Sequence, residues 1–219
     1  MFQPEKKRYH IFVSHSCPWA HRVTIVIKMK GLQDCFDVSV THPTWGKTRL
    51  DDEEDSHYGW IFNGGDADTF GIKSRAASED TFTAACTKDK VNSCRTVRDL
   101  YDLTPNNLQN FTVPIIWDTK THTIVNNESS EIVRMINDSF NEFATNPSLD
   151  LYPEAHRKAI DEVNEWIYND INNGVYKCGF ARTQVYALLI YAIYTLYTRY
   201  IRRIHNMSYS YILFDKGCI

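Results

Sequence analysis

The stretch from Tyr9 to Val40 limits what this chain can fold into. Residues 9–14 form a short, near-continuously apolar run, the pattern of a strand buried on both faces of a sheet. A turn follows at His15-Ser16, and Pro18 suits the first position of a helix, where a missing N–H costs nothing. Val23, Val26, Ile27 and Lys30 recur at helical spacing, and Gly31 is a natural stop. The run Val23–Ile27 alone reads equally well as a strand, so Pro18 and Gly31 decide for a helix over residues 18–30. Residues 36–40 give a second strand. Strand, helix and strand in this order predict a βαβ unit with two parallel strands.

Cys17 falls just before the first turn of that helix. Free N–H groups and the positive end of the macrodipole favour an anion there. A thiol at this point is expected to lose its proton more readily than a free cysteine, and the thiolate is the nucleophile. Free cysteines often pack as small buried hydrophobes instead, but the strand–turn–proline–helix setting favours a reactive one.

The rest of the chain extends this unit. From Thr41 to about Lys88 the periodicity fades into a long loop. It holds the acidic run Asp51–Asp55, expected on a solvated face, then Gly59-Trp60 and Gly64-Gly65. Trp60 alone reads as a packing residue. Val91, Cys94, Val97, Leu100 and Tyr101 predict a helix over 89–103, ended by Thr104-Pro105-Asn106-Asn107. A strand follows at 113–118 with proline as its second residue, which belongs at a strand start or edge. A turn at 119–121 leads into a short strand at 122–125. Residues 126–131 lead into a helix reaching Phe143, with Ile132, Met135 and Ile136 on one face and Asn126 or Asn127 as its cap. Asn146-Pro147-Ser148 marks a linker. A helix opened by Pro153 carries Ile160, Val163, Ile167 and Ile171 on one face and is expected to stop at Asn172-Asn173-Gly174.

This order is thioredoxin-like, followed by helices alone. The fold class is therefore an α/β thioredoxin-like N-terminal domain over 1–145 and a helical C-terminal domain over 146–219. In a thioredoxin-like sheet Cys17 faces Val113-Pro114, whose peptide bond is characteristically cis. The backbone of Val113 is then expected to face the site, where an extended peptide can add like a further strand. Glu128 and Ser129 open the last helix of the sheet domain. The N–H groups there can hold a carboxylate, helped by the Ser129 hydroxyl, while Glu128 can take an ammonium. A plain helix cap explains the same residues equally well. A small peptide with both charges at one end, such as the γ-glutamyl end of glutathione, fits the combination. Ala20 occupies the position of a resolving cysteine in a Cys-x-x-Cys pair, so a thiol cycle here needs an external thiol.

Five motifs in order resemble a known family: Cys17-Pro-Trp-Ala-His-Arg22, Gly59-Trp60, Thr112-Val-Pro-Ile-Ile-Trp-Asp118, Thr123-Ile-Val-Asn-Asn-Glu-Ser-Ser-Glu-Ile132, and Asn172-Asn-Gly-Val-Tyr-Lys-Cys-Gly-Phe-Ala181. Together, over residues 6–184, they resemble the glutathionyl-hydroquinone reductases. These are the Xi class of the glutathione transferases, close to the omega class. The resemblance implies reduction of glutathionyl-hydroquinones to hydroquinones through a mixed disulfide of Cys17 with glutathione, resolved by a second glutathione. It implies Tyr176 as proton donor and acceptor to the aromatic substrate. Trp60 would cover glutathione, Asn110 and Val113 would pair with its backbone, and Glu128 and Ser129 would hold its γ-glutamyl end. The family commonly has a basic residue where Asn110 stands. Pro114 would be the structural cis-proline.

After Gln184 the family continues with a long charged helix and several more. This chain instead reads an apolar, tyrosine-rich run from Val185 to Tyr197 and ends at Ile219. That run is short of the ~20 residues that span a bilayer. The resemblance therefore implies an incomplete helical domain with a divergent tail over 185–219. Two further family tyrosines that lower the catalytic thiol's pKa, and the family's dimer surface, belong to the part without a counterpart. Family members also carry a longer leader before the first strand. Two alternatives stand beside the reductase: a truncated product that binds glutathione without turnover, and an omega-like thioltransferase acting on small disulfides or dehydroascorbate.

The bulk properties agree with a glutathione partner. A net charge of -3 over 219 residues gives no reason for nucleic acid or an anionic membrane surface. The six cysteines show no Cys-x-x-Cys pair, so no metal site is expected. The polar, charged start Glu5-Lys6-Lys7-Arg8 lacks an apolar secretory core, which favours a cytoplasmic location and free thiols.

Overall fold

In a computed structural model, residues 2–62, 85–104, 110–181 and 183 are described. The chain separates into two compact units, residues 1–149 and 150–219.

The first unit is built on a four-stranded sheet whose strands lie side by side in the order 37–40, 9–13, 115–118 and 123–126. Strand β1 (Tyr9–Val13) is buried along its whole length, as its apolar run predicts. It pairs in parallel with β2 (Asp37–Val40), Ile11 opposite Val38, and antiparallel with β5 (Ile115–Asp118), Ile11 opposite Ile116. Strand β6 (Thr123–Asn126) completes the edge, antiparallel to β5. Between β1 and β2 runs α1 (Pro18–Lys30), the βαβ crossover expected from sequence. Its predicted face is the one buried: Val23, Val26, Ile27 and Lys30. The Lys30 ammonium is satisfied by Asn141 Oδ1 and the Leu149 carbonyl, both at 2.6 Å. Gly31 ends the helix in the left-handed region at φ 67°, its N–H on the Lys28 carbonyl and that of Leu32 on the Ile27 carbonyl.

The 41–62 segment is not the featureless loop its periodicity suggests. Gly46–Lys47 (β3) pairs antiparallel with Tyr58–Gly59 (β4), too short a ladder for an alternating pattern to register. Asp51, Asp52, Glu53 and Glu54 are exposed as expected. Asp55 is not: it is mostly buried and paired with Arg98 at 2.5 Å. Gly64-Gly65 lies outside the described residues.

The helix expected over 89–103 is shorter, α2 (Val97–Asp102). The Asp89 carboxylate accepts the N–H groups of Val91, Asn92 and Cys94 at 2.9–3.1 Å, holding 89–94 in turns. A short acidic side chain has here outcompeted the helical ladder. Thr96 then starts the helix with a reciprocal box, its hydroxyl accepting from Asp99 N–H while Asp99 accepts from Thr96 N–H. Of the expected stop at 104–107, only Thr104 is described.

The helix expected to reach Phe143 is α3 (Ser129–Ser139), followed by a single 3₁₀ turn at Asn141–Phe143. Neither expected asparagine is its cap. Glu128 is, with its own side chain accepting from Ser130 N–H. Asn126 Oδ1 accepts from Glu128 N–H one step earlier, and Asn127 donates to the Tyr101 hydroxyl at 3.0 Å. Helices α1 and α3 pack on one another.

In the second unit a 3₁₀ turn at Glu154–His156 leads into α4 (Arg157–Ile167), which buries Ile160 and Ile167. Asn172-Asn173-Gly174 does not stop the helix. A π-helical turn, Tyr168–Asn172, runs directly into α5 (Asn173–Gly179). Gly31 is the only glycine with positive φ among the described residues, so Gly174 does not adopt the capping conformation that makes glycine a stop. No helix among the described residues is long and apolar enough to cross a membrane. The apolar run 185–197 and the tail to 219 lie outside them.

Two stability predictions follow from this frame. A Cβ at Gly31 would sit 1.7 Å from Thr145 Oγ1, on a backbone that disfavours any side chain by about 1–2 kcal/mol. Gly31→Ala should lower the urea midpoint by a loss of at least ~1 kcal/mol without changing the slope. The second concerns Asp118, fully buried and held by a two-pronged bond from Arg8 at 2.9 and 2.5 Å, with Lys120 N–H and the Thr121 hydroxyl at 3.0 Å. Arg8 above all lowers its carboxyl pKa to about 2. A depressed carboxylate contributes stability above its unfolded value near ~4, lost as pH falls through the folded value. Wild-type stability should therefore drop between about pH 4 and pH 2, and Asp118→Asn should be less stable at pH 7 with a flatter decline across that window.

Candidate active site around Cys17

The end of β1 sets the site. Ser14 leaves the strand one residue before the expected end, because its groups turn inward. Its carbonyl accepts from Cys17 N–H at 3.1 Å, and its hydroxyl lies 3.0 Å from that of Ser16. Cys17 is thus the N-cap of α1, with extended backbone angles and its own carbonyl accepting the first helical bond from His21 at 3.0 Å.

The thiol is buried, 7% exposed, and its Sγ donates to the Val113 carbonyl at 3.5 Å. Val113 precedes the β5 ladder across a cis peptide bond to Pro114, as expected. The environment of Cys17 corrects one expectation. Burial pushes the thiol up and outweighs the N–H groups of Ala20 and Trp19 and the charge of Arg22, which pull it down. The helix end is where the sequence puts it, but the sulfur is withdrawn from water and faces a carbonyl that accepts only from the protonated form.

Glu128 and Ser129 come to the same end of the sheet through α1. Arg22, one and a half turns after Cys17, donates to the Ser129 hydroxyl and lies 3.5 Å from Glu128 Oε1. Ser129 is buried, whereas the Glu128 side chain is 52% exposed. Glu128 Oε1 also accepts from Ser130 N–H and the Ser130 hydroxyl, both at 3.1 Å. The plain cap and the charged pair are therefore one arrangement: the carboxylate closes the helix and still presents a negative surface.

Trp60 is half-buried. Its carbonyl accepts from Val97 N–H at 2.9 Å, and its ring meets Trp45 edge-on at 5.5 Å. The Trp45 segment is tied to the cysteine turn through Ser16 Oγ, which donates to the Pro43 carbonyl at 3.1 Å. Asn110 is exposed, its carbonyl accepting from Thr112 N–H. Tyr176 lies in the second unit, on α5, half-buried and stacked on Phe180. The first unit thus links Cys17 to Val113, joins Glu128 to Ser129 through Arg22, and ties the Trp60 segment to the cysteine turn.

Three contributors carry no role in the sequence reading. Arg22 is buried among the apolar positions of α1, and a cation at that spacing was the available signal. Tyr101 is a buried tie, donating to the Thr112 carbonyl and accepting from Asn127, so it fixes the approach to Val113. Trp45, half exposed beside Trp60, carries no sequence signal beyond its residue type.

Comparison with known proteins identifies the family. The glutathione S-transferase N-terminal domain family matches residues 16–139. A Schizosaccharomyces pombe protein named glutathione S-transferase omega-like 2 is 43% identical over 186 residues, covering 83% of this chain and 50% of that protein. Escherichia coli YqjG, a glutathionyl-hydroquinone reductase, is 40% identical over 184 residues, covering 84% of this chain and 48% of it. The glutathione-bound structure of YqjG superposes with a TM-score of 0.73 at 37% identity, over 91% of this chain and 56% of that one. Glutathione transferase Xi 1 from Trametes versicolor gives a TM-score of 0.75 at 40% identity, over 93% and 62%. The chain spans about half the length of the relatives it matches. With its thioredoxin-like sheet, its helical second unit and these relatives, the chain belongs to the glutathione S-transferase family, on its Xi-class, omega-like branch.

Proposed function

We propose that the chain is a glutathione-dependent reductase of glutathionyl-hydroquinones. The observation that carries the reading is the approach of Cys17 Sγ to the Val113 carbonyl beside the Val113-Pro114 bend, with Glu128 and Ser129 joined to the same helix by Arg22. In this reading the backbone of Asn110 and Val113 takes the tripeptide as an added strand, and Trp60 covers it. Glu128 takes the γ-glutamyl ammonium, and Ser129 donates to its carboxylate.

The Cys17 thiolate attacks the sulfur that joins glutathione to the ring. The sulfur–sulfur bond forms as the carbon–sulfur bond breaks, and the electron pair passes to the ring carbon, which takes a proton supplied through Tyr176. Hydroquinone leaves, and Cys17 remains in a mixed disulfide with glutathione. A second glutathione thiolate attacks that disulfide, giving oxidised glutathione and the Cys17 thiolate. Ala20 supplies no internal thiol, so the second glutathione is obligatory. A reducing, cytoplasmic setting provides it.

One observation favours a second reading, glutathione binding with slow chemistry. Burial holds the Cys17 thiol above its usual value, which favours the protonated form over the nucleophilic thiolate.

Two measurements test these readings. Turnover of a glutathionyl-hydroquinone with excess glutathione should fall by at least ~100-fold in Cys17→Ser, the loss of a nucleophile being worth at least about 3 kcal/mol of barrier; equal rates in the two proteins overturn the mechanism. Alkylation of Cys17 by iodoacetamide, followed against pH without glutathione, should rise with a midpoint above the ~8.5 of a free thiol. A midpoint well below that value would remove the basis of the second reading.

A further inference from the structure

We propose that Arg22 is a positioning residue of this site, fixing the Ser129 hydroxyl and the Glu128 carboxylate in the arrangement that receives a γ-glutamyl group. The inference rests on the glutathione reading above and assigns to α1 a second task beyond carrying Cys17.

The geometry is specific. Arg22 is 4% exposed, and its guanidinium lies over the Trp19 ring at 5.0 Å. One end nitrogen donates to Ser129 Oγ and lies 3.5 Å from Glu128 Oε1. A guanidinium only donates, so Ser129 must accept from it. The single hydroxyl hydrogen of Ser129 is then left to point elsewhere, and in the free chain it points at Glu128 Oε1, 3.4 Å away. A ligand carboxylate placed there takes the same hydrogen. Arg22 in this way makes a two-way hydroxyl into a one-way donor toward the ligand.

Charge balance leads to the same conclusion. A γ-glutamyl end brings one carboxylate and one ammonium, and Glu128 adds a second carboxylate. The ligand's ammonium offsets only one of the two carboxylates, which leaves an uncompensated negative charge in a half-buried setting. Arg22 supplies the balancing cation from the protein side, on a rigid helix, with its fork held by ring stacking. The same charge also favours the thiolate of Cys17, five residues earlier. One buried cation thus serves both the ligand's charged end and the sulfur.

The test uses the full chain and S-methylglutathione, which can bind but cannot exchange. The readout is the concentration that halves iodoacetamide alkylation of Cys17, each protein normalised to its own unprotected rate. In Arg22→Met this concentration should rise at least tenfold. Arg22→Lys keeps the charge and loses the fork, and should recover about threefold of that loss while staying at least threefold weaker than the wild type. Ser129→Ala should weaken protection severalfold, and adding it to Arg22→Met should cost no more than about a further twofold, because both act through one hydroxyl. Unchanged protection in Arg22→Met overturns the proposal, and so do losses that simply multiply in the double variant. Should Arg22→Met fail to fold, the same cycle is run with Arg22→Lys: a threefold or greater loss that does not multiply with Ser129→Ala supports the role, and unchanged or multiplying losses overturn it. A wild-type chain that millimolar S-methylglutathione does not protect overturns the glutathione reading itself, a result visible before any variant is made.

Discussion

Strand β1 is hydrogen-bonded on both edges, parallel to β2 and antiparallel to β5, and the site depends on that double pairing. A strand so placed has no free edge and no exposed face, so its five residues are all buried. Its end cannot drift. The turn at Ser14 and the start of α1 are fixed by the β2 pairing, and the entry of β5 is fixed on the other side. Cys17 and Val113, 96 residues apart in sequence, meet because both sit at the same end of adjacent strands. The Arg8–Asp118 fork closes the opposite end of the β1–β5 pair.

The second constraint is the packing of α1 on α3. It buries two cations of α1 in different ways. Lys30, near the C-terminus, is satisfied by Asn141 and the Leu149 carbonyl, which ties down the chain beyond α3. Arg22, near the N-terminus, faces Ser129 and Glu128. A buried charge is tolerated when paired and costly when stripped of its partner. The two cations therefore tie the start of α3 and the chain beyond its end to the helix that carries the cysteine. The cost of this compactness falls on Cys17, whose sulfur is desolvated by the packing that positions it.

Local features of the first unit are legible where one residue type has one mechanical use. Pro18 and Gly31 gave α1 its ends, and an apolar run gave β1. Legibility failed where a side chain competed with the backbone. Asp89 took three N–H groups and shortened α2, and Glu128 took over the cap expected of Asn126 or Asn127. It failed again at Asn172–Gly174, where capping residues remained inside a helix that passes through a π turn. Trp60 shows a further limit. Its residue type allowed packing or ligand contact, and the Trp45 ring and the Pro43–Ser16 bond, which tie its segment to the cysteine turn, are set by a hairpin too short to show a period.

By itself the sequence determined the order of elements, the burial of β1, the placement of Cys17 at a helix start and the lack of a resolving thiol at Ala20. These are local facts, governed by side-chain period, proline and glycine geometry and residue identity. Only the tertiary structure decided the state of the thiol and the company of Glu128 and Ser129. A pKa depends on what the fold withdraws from water, and burial here outweighs the helix end that the sequence advertises. A guanidinium finds its partners across 107 residues of chain, and no local pattern encodes that meeting.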